Sequence, residues 1–305
     1  MDERHDGILK KKEIAGSRSG PHVVITGGVH GDEFEPMSAI RRLSRCIDSE
    51  RLAGRLTLIP VVNEPAYLRG ERTADDELDL ARTFPGNDRG SITQRIAFAL
   101  STVIRSADYY IDLHSGGKAI CVWPMVGYML HPDEKVLALQ RRMAHAFGLP
   151  VIWGTDPYLD GRALSVARDA SVPAIYAEYH GTGRCDPAGV TAYVEGCLNV
   201  LASFHMLERS VPDFTPKYLV EDERPGSGHM QICYPAPMTG LFEASVPLGD
   251  PIGIGDRIGV ISDTLGDETI TVRSSQSGLV LVLRNFSRVY RGDSLAVILE
   301  TNHRG

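Results

Sequence analysis

The chain has 305 residues, 43% hydrophobic, 23% charged and 7% aromatic, and its 39 acidic residues outweigh 32 lysines and arginines for a formal charge of −7. That is the composition of a globular protein long enough for about two domains of the usual ~150 residues. The acidic balance argues against a phosphate backbone as the main ligand, since such binders carry net basic faces, so no nucleic-acid partner is expected.

Residues 1–20 are polar and charged and lack the apolar centre of a secretory signal, so export is not expected. The longest apolar stretch, Ala119 to Leu130, is broken by Pro124 and Gly127 and falls short of the ~20 residues that span a bilayer. No membrane association is expected. Cys46, Cys121, Cys185, Cys197 and Cys233 form no Cys-x-x-Cys pair and are odd in number, which favours reduced thiols in a cytoplasmic protein.

In chain order, His22 to Gly28 reads as a buried β-branched strand stopped by glycines, and Phe34 to Ser49 carries apolar residues at helical spacing. Leu56 to Val62 is a second strand, Ile92 to Ser106 a second helix, Tyr109 to Leu113 a third strand and Glu134 to Phe147 a third helix. Ala174 to Glu178 follows as a short strand after Pro173, and Val190 to Met206 as a long helix. This alternation predicts an α/β fold with a mainly parallel or mixed sheet flanked by helices, over residues 1–210. Prolines 212 and 216 bracket a linker, and residues 211–305 read as short strands punctuated by Gly and Pro, a small all-β domain. Its turn-then-strand repeats resemble biotinyl/lipoyl-type barrel-sandwich domains. Ile258 to Ser287 contains no lysine for a carrier to modify, so the architecture is expected without the swinging arm.

The residues that bear chemistry fall beside predicted strand ends. His30 and Glu33, three apart on a turn opening a helix, can converge on one ion. His114, in Asp112-Leu113-His114-Ser115-Gly116-Gly117, leaves another strand at the edge where α/β proteins build sites. Two histidines and one carboxylate make the open three-ligand set of catalytic zinc, and imidazole disfavours magnesium and calcium. Hydrolysis by such a centre also needs a carboxylate to move protons. Glu178, at the end of its strand, is the candidate, with His180 the nearest rival as ligand or base. Arg72 and Arg82 flank an acidic loop; guanidinium forks match carboxylates and developing oxyanions, although each arginine taken alone reads as a surface ion-pairing residue.

Taken together, His30-x-x-Glu33, Arg72, Asp79-x-x-Arg82-x-Phe84-Pro85-Gly86, Asp112-x-His114-Ser115-Gly116 and Glu178 resemble the succinylglutamate desuccinylase/aspartoacylase family, a branch of the zinc carboxypeptidase fold. The match runs in order from about Val23 to Leu201, and the small β domain suits the same layout. The stretch Asp112 to Lys118 looks most like members that deacylate acetylated diamino acids such as N-acetyl-diaminobutyrate. The resemblance implies one Zn2+ per chain held by His30, Glu33 and His114, Glu178 as general base and then acid, and Arg72 polarising the scissile carbonyl. It further implies Arg82 as the binder of the substrate carboxylate and Asp79 as the group orienting a zinc-bound histidine. One position departs from the pattern: Ala81 stands where the family has Asn, removing an amide from the carboxylate pocket. The expected substrate is a small N-acyl amino acid, cleaved at its amide, and the expected compartment is the cytoplasm; a homo-oligomer is compatible with the sequence. Two other readings stay open, a metallocarboxypeptidase or amidase on peptides, and a non-catalytic binding protein on the same scaffold.

Overall fold

A computed structural model describes residues 7–230 and 233–301. In its first half lie Lys12–Ala15 (β1), Arg18–Thr26 (β2), Phe34–Cys46 (α1), Ala53–Ile59 (β3), Glu64–Arg69 (α2), Ile92–Arg105 (α3) and Tyr109–His114 (β4). Ile120–Met129 (β5), Glu134–Phe147 (α4), Val151–Thr155 (β6), Ala163–Asp169 (α5), Ala174–Gly181 (β7) and Pro187–Ser203 (α6) complete the α/β region. Beyond it come Tyr218–Glu221 (β8), Gly240–Ala244 (β9), Pro251–Ile252 (β10), Arg257–Ser262 (β11), Thr269–Arg273 (β12), Gly278–Arg284 (β13), Arg288–Val289 (β14) and Ala296–Leu299 (β15).

The fold is mixed α/β, as the alternating pattern predicts. An 11-stranded sheet has β2, β4 and β7 at its centre, with β3 parallel to β2, β2 parallel to β4 and β4 parallel to β7. Strand alternation divides the core by parity. Val23, Ile25, Ile111, Leu113, Ile175 and Ala177 pack under α1, α4 and α6. Val24, Tyr110 and Ala174 point the other way, toward α3 and α5. Helix ends follow local rules: Asp133 caps α4 through the Lys135 amide at 2.8 Å, and Asp186 caps α6 through the Ala188 amide at 2.9 Å, with Pro187 opening the helix.

The apolar run from Ala119 to Leu130, read from sequence only as too short for a membrane, forms the longest strand. β5 lies antiparallel to β7, and its register shifts between Val122 and Met125, around Pro124, which has no amide hydrogen to give the ladder. Its far end pairs in parallel with β6, and its start pairs antiparallel with β13. The main sheet therefore crosses position 210, because β8 continues it through β6 and β13 through β5. A separate four-stranded antiparallel sheet in the order β12-β11-β9-β14 completes the C-terminal region. Phe242, Ile258, Ile261 and Val289 from it pack against Val280 and Ile298 of the main sheet. No helix among the described residues is long and apolar enough to cross a membrane.

Candidate active site

The parity that buries Leu113 and Ala177 under α6 turns their neighbours toward the opposite layer, at the carboxyl ends of the parallel strands. Across this edge the ladders set Thr26 beside Asp112, Asp112 beside Tyr176 and His114 beside Glu178. The loop after β2 brings His30 to the same place. A β-carbon on Gly31 would sit 2.1 Å from the Ala66 carbonyl carbon, so only glycine allows this loop to lie against α2. Glu33 occupies the N-cap of α1 but makes no capping bond. Its carboxylate instead spans the two histidines, with Oε1 2.6 Å from His30 Nδ1 and Oε2 3.1 Å from His114 Nδ1.

The other nitrogen of each ring is held by a carboxylate. His30 Nε2 lies 3.0 Å from Asp79 Oδ1, and His114 Nε2 lies 3.1 Å from Asp112 Oδ2. Asp79 is itself fixed: its Oδ1 accepts the Ala81 amide at 2.9 Å, and its Oδ2 accepts Arg72 Nε at 3.2 Å and Nη2 at 3.0 Å. Asp112 Oδ1 accepts the Thr26 hydroxyl at 2.6 Å, and the Tyr193 hydroxyl donates to the His114 carbonyl. Ligand atoms of His30, Glu33 and His114 all lie within 4.8 Å of one another, so the three residues expected from sequence form one group able to hold a metal ion. Both Nδ1 atoms face inward, and both Nε2 atoms are anchored outward, which fixes each tautomer for Nδ1 coordination.

Electrostatics follow from burial among charges. Burial opposes ionisation of Glu33, yet His30 and His114 hold it well below the usual carboxylate range. Burial likewise opposes protonation of His114, but Asp112 and Glu33 outweigh it and raise the imidazole well above its ordinary value. The buried carboxylates thus favour positive charge between the rings, which a divalent cation would supply.

Glu178 is buried beside this group, and its Oε2 has no hydrogen-bond partner among the described residues. Burial pushes its carboxyl up to about 7, against the pull of His114. A cavity of about 90 Å³ opens between the histidines and Glu178 and is walled by Phe84, Met129, Leu159 and Leu164. Arg72 reaches it with Nη1, 4.0 Å from Glu33 Oε1, because Asp79 occupies its other two nitrogens. Arg82 and Ala81 line it too, and Arg82 donates to the Ala81 carbonyl at 2.6 Å without forming an ion pair among the described residues. The structure thus brings His30, Glu33, Asp79, His114, Arg72, Arg82 and Glu178 together. His180, the rival ligand, lies outside the metal-holding group, 3.4 Å from Asp186.

Three residues gain a candidate role that the sequence reading did not give them. Asp112, quoted there only within the Asp-x-His motif, sits two residues before His114 on the same face of β4, and that spacing on a strand is the signal of its role. Tyr176 stands two residues before Glu178 by the same logic and lines the cavity. Arg162 lies in the turn before α5, where no periodicity marks it, and also lines the cavity.

Comparison with known proteins gives this geometry a relationship. The succinylglutamate desuccinylase/aspartoacylase catalytic domain matches residues 19–204. An N-alpha-acetyl-L-2,4-diaminobutyric acid deacetylase from Halomonas elongata is 32% identical over 290 residues, covering 92% of this chain and 82% of the relative. Among solved structures, a succinylglutamate desuccinylase from Silicibacter sp. TM1040 superposes with a TM-score of 0.86 at 25% identity, over 95% of this chain and 88% of that one. The product-bound ectoine utilization protein EutE from Ruegeria pomeroyi does so with a TM-score of 0.84 at 26% identity, over 94% and 87% of the two chains. The chain is a member of the succinylglutamate desuccinylase/aspartoacylase family.

Proposed function

We propose that the chain is a zinc-dependent deacylase that hydrolyses the amide bond of a small N-acyl amino acid. One observation carries this reading: two imidazole Nδ1 atoms converge on Glu33, while the buried Glu178 beside them keeps an open oxygen. The donor set of two nitrogens and one carboxylate, with both Nε2 atoms anchored to carboxylates, fits zinc. His30, Glu33 and His114 would hold it, and when bound it supplies an acidified water and a Lewis acid for the amide carbonyl.

Glu178 takes the proton from the attacking water, for which a carboxyl poised near neutrality is suited, and passes it to the departing amine nitrogen. Arg72 donates from Nη1 to the carbonyl oxygen as negative charge develops there, its orientation fixed by two bonds to Asp79. Arg82 binds the carboxylate of the amino acid. Asp79 and Asp112 orient the two histidines. The aliphatic and aromatic wall keeps bulk water from the reacting amide.

The small cavity, with Gly228 and Met230 of the C-terminal region among its walls, supports a small substrate over a peptide. In this reading residues 211–305 form a second domain that narrows the entrance. Five free thiols support a reducing, cytoplasmic setting. Metal analysis combined with amine release from acetyl-, succinyl- and aspartyl-type amides tests the proposal. Zinc at one per chain with release from one of these classes is the expected result. Cleavage of long peptides alone would favour the carboxypeptidase reading, and bound metal without any hydrolysis would favour a binding protein.

A further inference from the structure

Three buried carboxylates lie close together in sequence where α1 opens, Asp32, Glu33 and Glu35, and the reading above employs only Glu33. Asp32 accepts the Lys118 amide at 2.9 Å. Glu35, in the first turn of α1, is fully buried and does not line the cavity. Its Oε2 accepts the Ser115 hydroxyl at 3.0 Å, its Oε1 accepts the Asp186 amide at 3.2 Å, and its own amide donates to the same carboxylate. No lysine, arginine or histidine pairs with it among the described residues. A charge buried without a counter-ion is costly unless hydrogen bonds hold it. Two helix N-termini add to those bonds, because Glu35 belongs to the first turn of α1 and Asp186 is the N-cap of α6.

The two donors belong to the segments that follow the two halves of the centre. Ser115 comes directly after His114, and Asp186 closes the loop that follows Glu178. These segments also meet each other: the Gly116 amide donates to the His180 carbonyl and the Gly183 amide to the Gly117 carbonyl, each at 2.8 Å. The loop after Glu178 is wound against backbone preference, with His180, Gly181, Thr182 and Gly183 in succession at φ of 46°, 136°, 75° and 68°. A positive φ at a β-branched residue such as Thr182 is disfavoured and persists only where surrounding structure holds it. The paired glycines hold the middle of this loop, and Glu35 holds its exit. At Gly189, in the first turn of α6, a β-carbon would lie 2.8 Å from the Tyr179 ring and 3.3 Å from Glu35 Cγ, so a bare backbone there lets the helix close over the carboxylate.

We propose that Glu35 is a positioning residue of the catalytic centre: its carboxylate ties the segment after His114 to the segment after Glu178, and so fixes the general base against the metal ligands. This rests on the deacylase reading above, in which Glu178 moves the proton. Glu35 acts through Ser115 and Asp186 and touches no reacting atom, so its loss should slow turnover and leave substrate binding in place.

The test uses the zinc-loaded full chain and whichever of the acetyl-, succinyl- and aspartyl-type amides it cleaves fastest. At full zinc occupancy Glu35→Ala should lower kcat by roughly 10- to 100-fold, as loss of an outer support of a metal centre does, with KM little moved. Glu35→Gln should recover most of that loss, because its oxygen still accepts the Asp186 amide and its nitrogen can donate to Ser115 Oγ. Ser115→Ala removes one arm of the tie and should lower kcat by less. Added to Glu35→Ala it should cost nothing further, the arm being already gone. Wild-type kcat in Glu35→Ala, a rise in KM alone, or losses that multiply in the double variant would overturn the assignment. Should Glu35→Ala fail to fold, Ser115→Ala decides: lower kcat together with faster hydrogen exchange of the Gly183 amide sustains the tie, and either one unchanged refutes it. If wild type hydrolyses none of the amides, the deacylase reading fails, and exchange alone then judges the tie. Faster exchange at both Gly116 and Gly183 in Ser115→Ala sustains it, and an unchanged rate at either refutes it.

Discussion

The carboxyl edge of the central sheet carries two halves of unlike character. Around His30 and His114, each ring nitrogen has a carboxylate oxygen near 3 Å, and Asp79 and Asp112 have further donors behind them. Across the cavity, Glu178 Oε2 and Arg162 Nη2 are buried without partners among the described residues, and Arg82 donates to a backbone carbonyl. An unsatisfied buried polar group costs about 1–3 kcal/mol, so a ligand that partnered these groups would be favoured by that order. In the proposed reading the saturated half holds a resident ion and the unsaturated half receives the substrate, so removing groups of the latter should harm turnover more than folding.

The sharpest way to break this contrast is Glu178→Gln. The variant should keep its metal and melting temperature while losing roughly 10²- to 10⁴-fold in kcat, the usual worth of a positioned general acid–base. The same residue sets a pH dependence. Its carboxyl, pushed up to about 7 by burial, must be ionised to accept a proton, so activity rises with pH through its pKa. A bound cation favours the carboxylate, so the acid limb of kcat/KM should fall at or below about pH 7 and vanish in Glu178→Gln. An unchanged limb in that variant would assign it elsewhere.

Arg82→Ala comes next. Loss of a charge-assisted bond to the substrate carboxylate should raise KM by roughly 10- to 150-fold, with kcat less affected. A pure kcat effect would deny Arg82 a binding role. On the saturated side, Asp112→Asn should lower zinc affinity or activity by about 10- to 100-fold, measured by chelator competition, because the His114 ring loses its anionic anchor. The smallest effect is expected from Gly31→Ala. Its new methyl group would meet the backbone of Ala66 at 2.1 Å, so unfolding should show a loss of about 1–3 kcal/mol.

How much of this could be read from letters differs between the same two halves. His30, Glu33, His114 and Glu178 were legible because each follows or ends a short apolar run, and spacing along the chain places strand ends at one edge. The helices α1, α3 and α4 were legible for a similar reason, since their apolar residues repeat at helical spacing. Arg162 was hidden because it sits in a turn without period, and its place in the cavity wall beside Arg82 and Tyr176 joins stretches that are distant in sequence. β5 was not assigned as a strand because Pro124 interrupts the apolar run, whereas in the sheet that proline simply falls where the register shifts. The ladder between β5 and β13 joins residues so far apart that no local pattern announces it, and it ties the C-terminal strands to the α/β sheet.

The account turns on where a cation sits, and an anomalous-scattering map at the zinc edge, from crystals of the full chain, addresses that directly. A single peak bounded by the Nδ1 atoms of His30 and His114 and by the Glu33 carboxylate, with Glu178 facing its open side, is the predicted result. A peak at His180, a peak bound through the Nε2 atoms, or no peak between the two rings would contradict it.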